Sequence, residues 1–147
     1  MEAFAKILCP YDFSEYADEA LRYAAKLASP QTVITLLNAI QVPYSIEPSG
    51  IAYYDLKYDD LRAKTEAAMN EKLASLSQTY PHARFDTLIL MSIDPAELIL
   101  STQQEGKYDL VVMGSHGRKG LRRILLGSVS ESVMREASCP VLILKKK

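Results

Sequence analysis

Chemistry in this chain concentrates between Gly114 and Ser130. Gly114, Gly117 and Gly127 let a backbone approach an anion closely and tolerate positive φ, while Ser128 and Ser130 carry hydroxyl donors. A compact apolar run, Leu110 to Met113, precedes the first glycine, and a helical pattern of Val129, Val133, Met134 and Ala137 follows the last. Strand, glycine-rich turn and helix N-terminus in that order make a phosphate-binding loop, because the turn gathers N–H groups and the helix dipole favours negative charge. Arg118, Lys119, Arg122 and Arg123 lie inside it, as a lid over phosphate, a solvated face or a local nucleic-acid patch. Nucleic acid fits least, since no aromatic platform interleaves with these cations. The spacing is neither that of a P-loop nor that of the dinucleotide fingerprint, which belongs on the first strand–helix turn. His116 either touches phosphate or points to solvent. No Ser-His-Asp constellation and no cluster with metal-ligand spacing is legible.

The elements that must hold this loop alternate. Ile7 to Tyr11 reads as a short buried strand. Ser14 then caps a helix whose first turn carries Glu15, Asp18 and Glu19 and whose inner face carries Ala17, Ala20, Leu21, Ala24, Leu27 and Ala28, with Ser29 and Pro30 as its stop. Thr32 to Ile40 is a nearly continuous apolar strand. Pro43, Pro48, Gly50, Tyr44, Tyr53 and Tyr54 mark a connecting loop. A long helix from about Asp55 to Ser77 follows, with Leu61, Ala68, Met69, Leu73 and Leu76 on one face. Arg84 to Ser92 returns to strand. Asp94, Pro95 and Glu97 open a third helix as N-cap, first-turn proline and capping-box glutamate, and Gly106 ends it. Asp109 to Met113 and Pro140 to Leu144 are the fourth and fifth strands. This β-α alternation implies a parallel sheet with helices on both faces and right-handed crossovers. The pattern alone does not fix strand order.

The spacing Gly114-x2-Gly117-x9-Gly127-Ser128 is similar to the nucleotide-binding signature of the universal stress protein family. The likeness extends to Lys6–Ser14, with its Pro-x-Asp-x-Ser ending, and to Tyr108–Ser115 and Ser138–Leu144, which resemble the family's first and last two strands. It covers essentially the whole chain, with residues 43–60 the least similar. The resemblance implies one Rossmann-like nucleotide-binding α/β domain over residues 1–147, an open five-stranded parallel sheet of order 3-2-1-4-5, with its ligand crevice at the reversal between strands 1 and 4. It further implies an ATP site, with AMP as the alternative nucleotide and Mg²⁺ or Mn²⁺ carried on the phosphates. Pro10, Asp12, Ala39, Met113, Gly114, His116, Gly117, Gly127, Ser128, Val129 and Ser130 would contribute to that site. Asp12 would accept hydrogen bonds from ribose hydroxyls, its alternative being a cap on the first helix. Ala39 stands where the family's backbone faces adenine, and Asn38-Ala39 replaces the usual His-Val. Ser92 departs from the glycine that often precedes Asp-Pro. The family also implies homodimerisation, which Val141–Leu144 as an apolar edge strand would serve.

Composition sets the remaining bounds. At 147 residues, 48% hydrophobic and a net charge of −1, the chain suits one globular domain and gives no general pull toward nucleic acid or an anionic membrane. Neither a signal-peptide pattern nor a membrane-length apolar run is visible. Cys9 and Cys139 read as small buried residues of a reducing cytoplasm, and the implied strand order sets them too far apart for a disulfide. The expected function is a cytoplasmic ATP-binding stress or signalling module with unidentified protein partners. Two rivals stand beside it. One is a slow nucleotide hydrolase or self-phosphorylating protein using Ser128, Ser130 or His116. The other is a module without nucleotide that works through the tyrosine-rich loop 43–58.

Overall fold

A computed structural model describes residues 3–41, 55–117 and 126–145, with side chains from Tyr58 onward in the second segment. The expected tyrosine loop, apart from its last residues, and all four cations of the glycine loop lie outside the described residues. The elements alternate as β1 (Lys6–Pro10), α1 (Glu15–Leu27), β2 (Val33–Gln41), α2 (Asp55–Thr79), β3 (Arg84–Ser92), α3 (Pro95–Glu105), β4 (Leu110–Gly114), α4 (Ser128–Glu136) and β5 (Val141–Leu144). The five strands form one parallel sheet ordered β3-β2-β1-β4-β5.

Alternation along each strand divides the core in two. Ile7, Cys9, Ile34, Leu36, Leu110 and Val112 face a cluster with Ala17, Ala20, Leu21 and Ala24 of α1 and Met69 and Leu76 of α2. Leu8, Leu37, Val111 and Met113 face the opposite cluster with Ile99 of α3 and Val133 of α4. Burial on both sides explains why β1, β2 and β4 read as continuous apolar runs.

Local signals set most boundaries. Ser14 Oγ accepts from Ala17 N at 3.1 Å and caps α1. Asp94 caps α3 by accepting from Ala96 N and Glu97 N, while its own N–H donates to Ser92 Oγ at 2.9 Å. Ser92 thus takes the place expected of a capping-box glutamate at Glu97. Gly106 caps α3 with φ −80, and the left-handed residue is Lys107 at φ 53. Four expected core positions correct outward: Leu27, in the last turn of α1, is 42% exposed, Leu61 47% and Met134 51%, and Cys139 is only partly buried. Leu61 lies toward the α2 N-terminus, beyond the part of the helix anchored by Met69 and Leu76. Met134 follows Val133, which takes the core-facing position of α4.

Candidate functional site

The order in which strands are added reverses between β1 and β4, and the chain leaves both parallel strands at the same end. Most of the expected site residues converge there. Pro10 ends β1 and shares a face with Leu8; Ala39 shares it with Leu37, and Met113 with Val111. Extending the Leu8–Val111 register by two residues brings Pro10 level with Met113. These three residues therefore form an apolar rim along β2, β1 and β4 on the α3/α4 side, and Val129 packs against the same cluster. Met113 is itself buried, so it offers the rim mainly backbone.

Above this rim stands Asp12. Its Oδ1 accepts from Ser14 N at 3.0 Å, so it does help shape the start of α1. Its other oxygen, Oδ2, faces Gly117: a Cβ on Gly117 would sit 2.9 Å from it. Two segments separated by about a hundred residues of sequence thus meet at the crevice, and any larger residue at 117 would press on the carboxylate.

Ser115 ties the loop together. Its N–H donates to Leu144 O of β5 at 2.8 Å, and its carbonyl accepts from Gly127 N at 2.7 Å and from Ser130 Oγ at 2.8 Å. Its Oγ stands 3.0 Å from His116 Nδ1, and the His116 ring lies 5.3 Å from that of Tyr16. The hydroxyl of Ser130, expected at the phosphates, is buried and donates inward to Ser115 O and Gly127 O in this structure. Ser128 is exposed at the first position of α4. Gly127 precedes it as N-cap with φ −71, and among the described residues no side chain caps this helix, unlike α1 and α3. The first N–H groups of a helix lack intrahelical partners, so an uncapped start points donors outward.

Close approach, rather than positive φ, accounts for the glycines. None of Gly114, Gly117 and Gly127 lies in the left-handed region. A Cβ on Gly114 would meet Tyr16 Cβ at 2.6 Å and the Tyr16 carbonyl carbon at 2.8 Å, so this glycine lets α1 pack on β4. Among the described residues, the left-handed one near the crevice is Phe13, at φ 63.

Sequence reasoning missed Ser115 and Tyr16, and read Asn38 only as a departure beside Ala39. Asn38 lies in a run of apolar strand residues, is buried, and donates through Nδ2 to Tyr11 O at 2.9 Å. A lone amide inside such a run was the available signal, because buried polar groups need partners. Tyr11 is also anchored through its ring, on the α1/α2 side of the sheet, where its hydroxyl donates to Asp18 Oδ1 at 2.6 Å. Burial first, then that carboxylate, pushes the phenol far above its usual range. An open hollow of about 370 Å³ lies there, lined by Tyr11, Phe13, Ala68, Glu71, Lys72 and Ser75. Among the described residues of the glycine loop, none lines it.

The sequence matches the model of the universal stress protein family over residues 3–145. Universal stress protein MJ0577 of Methanocaldococcus jannaschii is 33% identical over 159 aligned positions, covering 98% of this chain and 96% of that protein. The solved structure of MJ0577 superposes with a TM-score of 0.77 at 29% identity over 99% of both chains. Likeness in fold extends to UspA from Lactobacillus plantarum, with a TM-score of 0.82 at 24% identity over 98% of this chain and 99% of that one. It extends also to a universal stress protein in complex with cAMP, at 0.71 and 19% over 97% and 98%. A match along nearly the whole chain, on a sheet that reverses where the glycine loop sits, makes this chain a member of the universal stress protein family.

Proposed function

We propose that this protein is a cytoplasmic ATP-binding regulatory module, one domain per chain, that holds its nucleotide rather than consuming it rapidly. The observation that carries this reading is the meeting, at one sheet reversal, of an apolar rim, a carboxylate and an uncapped helix start. Pro10, Ala39, Met113 and Val129 suit a flat apolar base, with the Ala39 backbone free of a bulky neighbour on its own side chain. Asp12 suits ribose hydroxyls. Backbone N–H groups of Gly117 and Ser128, the Ser128 hydroxyl and His116 suit phosphates, which a helix N-terminus attracts; the Gly127 N–H, expected at the phosphates, is instead taken up by Ser115 O. Gly114 and Ser130 support the loop from behind, the first by admitting α1 and the second by clamping Ser115 to Gly127. When bound, the nucleotide would bring negative charge and Mg²⁺ or Mn²⁺ on its phosphates. That a fold relative was solved with cAMP agrees with an adenine nucleotide on this scaffold.

The same reading includes a homodimer through β5. This strand ends the sheet, and Pro140 O and Leu144 O both point toward β4. By alternation, Val141 and Ile143 turn their N–H and C=O groups outward, where an antiparallel copy of the strand can pair with them in a closed two-fold arrangement. The test of the nucleotide is mass spectrometry of what freshly purified protein releases on denaturation, followed by calorimetry with ATP and AMP. Release of an adenine nucleotide and saturable binding at micromolar concentration are expected. Protein that carries none and binds neither overturns the proposal.

A further inference from the structure

We infer that Asn38 is a positioning residue of the nucleotide site, acting through Asp12. This rests on the nucleotide reading above and assigns part of its ribose selectivity to a side chain on the neighbouring strand. The Tyr11 carbonyl that accepts from Asn38 Nδ2 belongs to the peptide plane joining Tyr11 to Asp12. Fixing that carbonyl fixes the plane from which the Asp12 backbone starts. The N–H of Tyr11 is fixed as well, donating to Leu37 O at 2.8 Å. Residues 37 and 38 of β2 therefore grip Tyr11 from both its polar groups, one through backbone and one through a buried amide.

Just beyond Asp12 the chain turns sharply. Phe13 holds φ 63, a conformation unfavourable for an aromatic residue unless its surroundings enforce it. Its ring packs edge-on against Tyr11 at 5.0 Å. The Tyr11 ring is held in turn by Asp18, which Lys72 pairs at 2.8 Å. Asp12 thus sits between a pinned peptide and a strained one, with Oδ1 on Ser14 N and Oδ2 facing Gly117. Its orientation is set before any ligand arrives, which is what selective recognition of a diol requires. Without the Asn38 donor, the Tyr11 carbonyl would be left buried and unpaired, or the plane would rotate toward water. Either change re-aims the carboxylate.

The experiment measures affinities for ATP and for 2′,3′-dideoxy-ATP in wild type, Asn38→Ala, Asp12→Ala and the double variant, by calorimetry on protein shown to be folded by circular dichroism. Asn38→Ala should weaken ATP about 3- to 10-fold, the span of one net hydrogen bond, and leave the dideoxy analogue within about 2-fold. In the Asp12→Ala background it should cause no further loss. Asn38→His, which retains a ring N–H donor, should recover part of the ATP affinity. If Asn38→Ala does not fold, Asn38→Ser is read in the same way. Equal losses for both nucleotides, no loss at all, or full additivity with Asp12→Ala would overturn the role of Asn38 while leaving ATP binding intact. A wild type that binds neither nucleotide would instead overturn the nucleotide reading, and this role with it.

Discussion

Replacing Gly117 by alanine separates the site from the scaffold. The added Cβ would stand 2.9 Å from Asp12 Oδ2, and among the described residues, its chain neighbours aside, that oxygen is the one atom it would approach within 4 Å. Gly117 is exposed and not in the left-handed region, so alanine meets no backbone penalty. Because the obstacle is the tip of a side chain, a small rotation of Asp12 relieves it. Folding stability should then change by no more than about 0.5 kcal/mol, as for other surface substitutions. Recognition should suffer more. Rotating the carboxylate about its bond from Ser14 N, which is kept, swings Oδ2 out of the crevice. A hydrogen bond to a charged group contributes about 1.5–3 kcal/mol; losing most of one corresponds to about 1–2 kcal/mol, or roughly a 5- to 30-fold higher Kd. Urea unfolding and ATP calorimetry on the same preparation give both quantities. Undiminished affinity in folded protein would refute the contact between Gly117 and a ligand-holding Asp12. A stability loss that matches the affinity loss would show Gly117 to be a scaffold residue.

Gly114→Ala should behave in the opposite way: its Cβ would collide with the Tyr16 backbone, so urea unfolding should show a loss of about 1–3 kcal/mol, the range for overpacking, and a smaller loss would mean that α1 moves freely over β4. Ile143→Pro removes an outward N–H from the edge of β5, so sedimentation at tens of micromolar should find wild type dimeric and the variant monomeric; a monomeric wild type would refute pairing through this strand. ATP turnover measured as phosphate release with excess Mg²⁺ should fall far below the typical enzyme rate of about 10 s⁻¹, whereas a rate near that value, abolished in His116→Ala, would make the protein a catalyst. Burial pushes the Cys9 thiol up to about 12 from 9.0, and Cys139 shifts upward from the same cause. A thiol reagent near neutral pH should therefore label Cys139 first and Cys9 only on unfolding. Because the folded thiol is the weaker acid, its contribution to stability is whole below pH 9 and is lost as pH rises toward 12, a decline that Cys9→Ala should reduce in alkaline unfolding curves.

Sequence by itself determined the elements and their order, because their signals are local. Ser14 and Asp94 cap helices from side chains two or three residues away, and apolar runs such as Leu110 to Met113 can be stable only as covered strands. The glycine spacing likewise marked the loop, and the strand order followed from family resemblance rather than from pattern. Tertiary structure decided what each glycine is for. Gly114 admits Tyr16 and Gly117 faces Asp12, and neither partner is near it in sequence. It also turned the Ser130 hydroxyl inward and made Ser115 the junction of loop, helix and edge strand. Asn38 shows the reason most plainly. Its neighbours in sequence say only that it lies in a buried strand. Its partner, Tyr11 O, comes within 2.9 Å only because β1 and β2 pair in one register. Close packing brings together groups far apart along the chain, and a one-residue slip would turn this amide to the other face of the sheet.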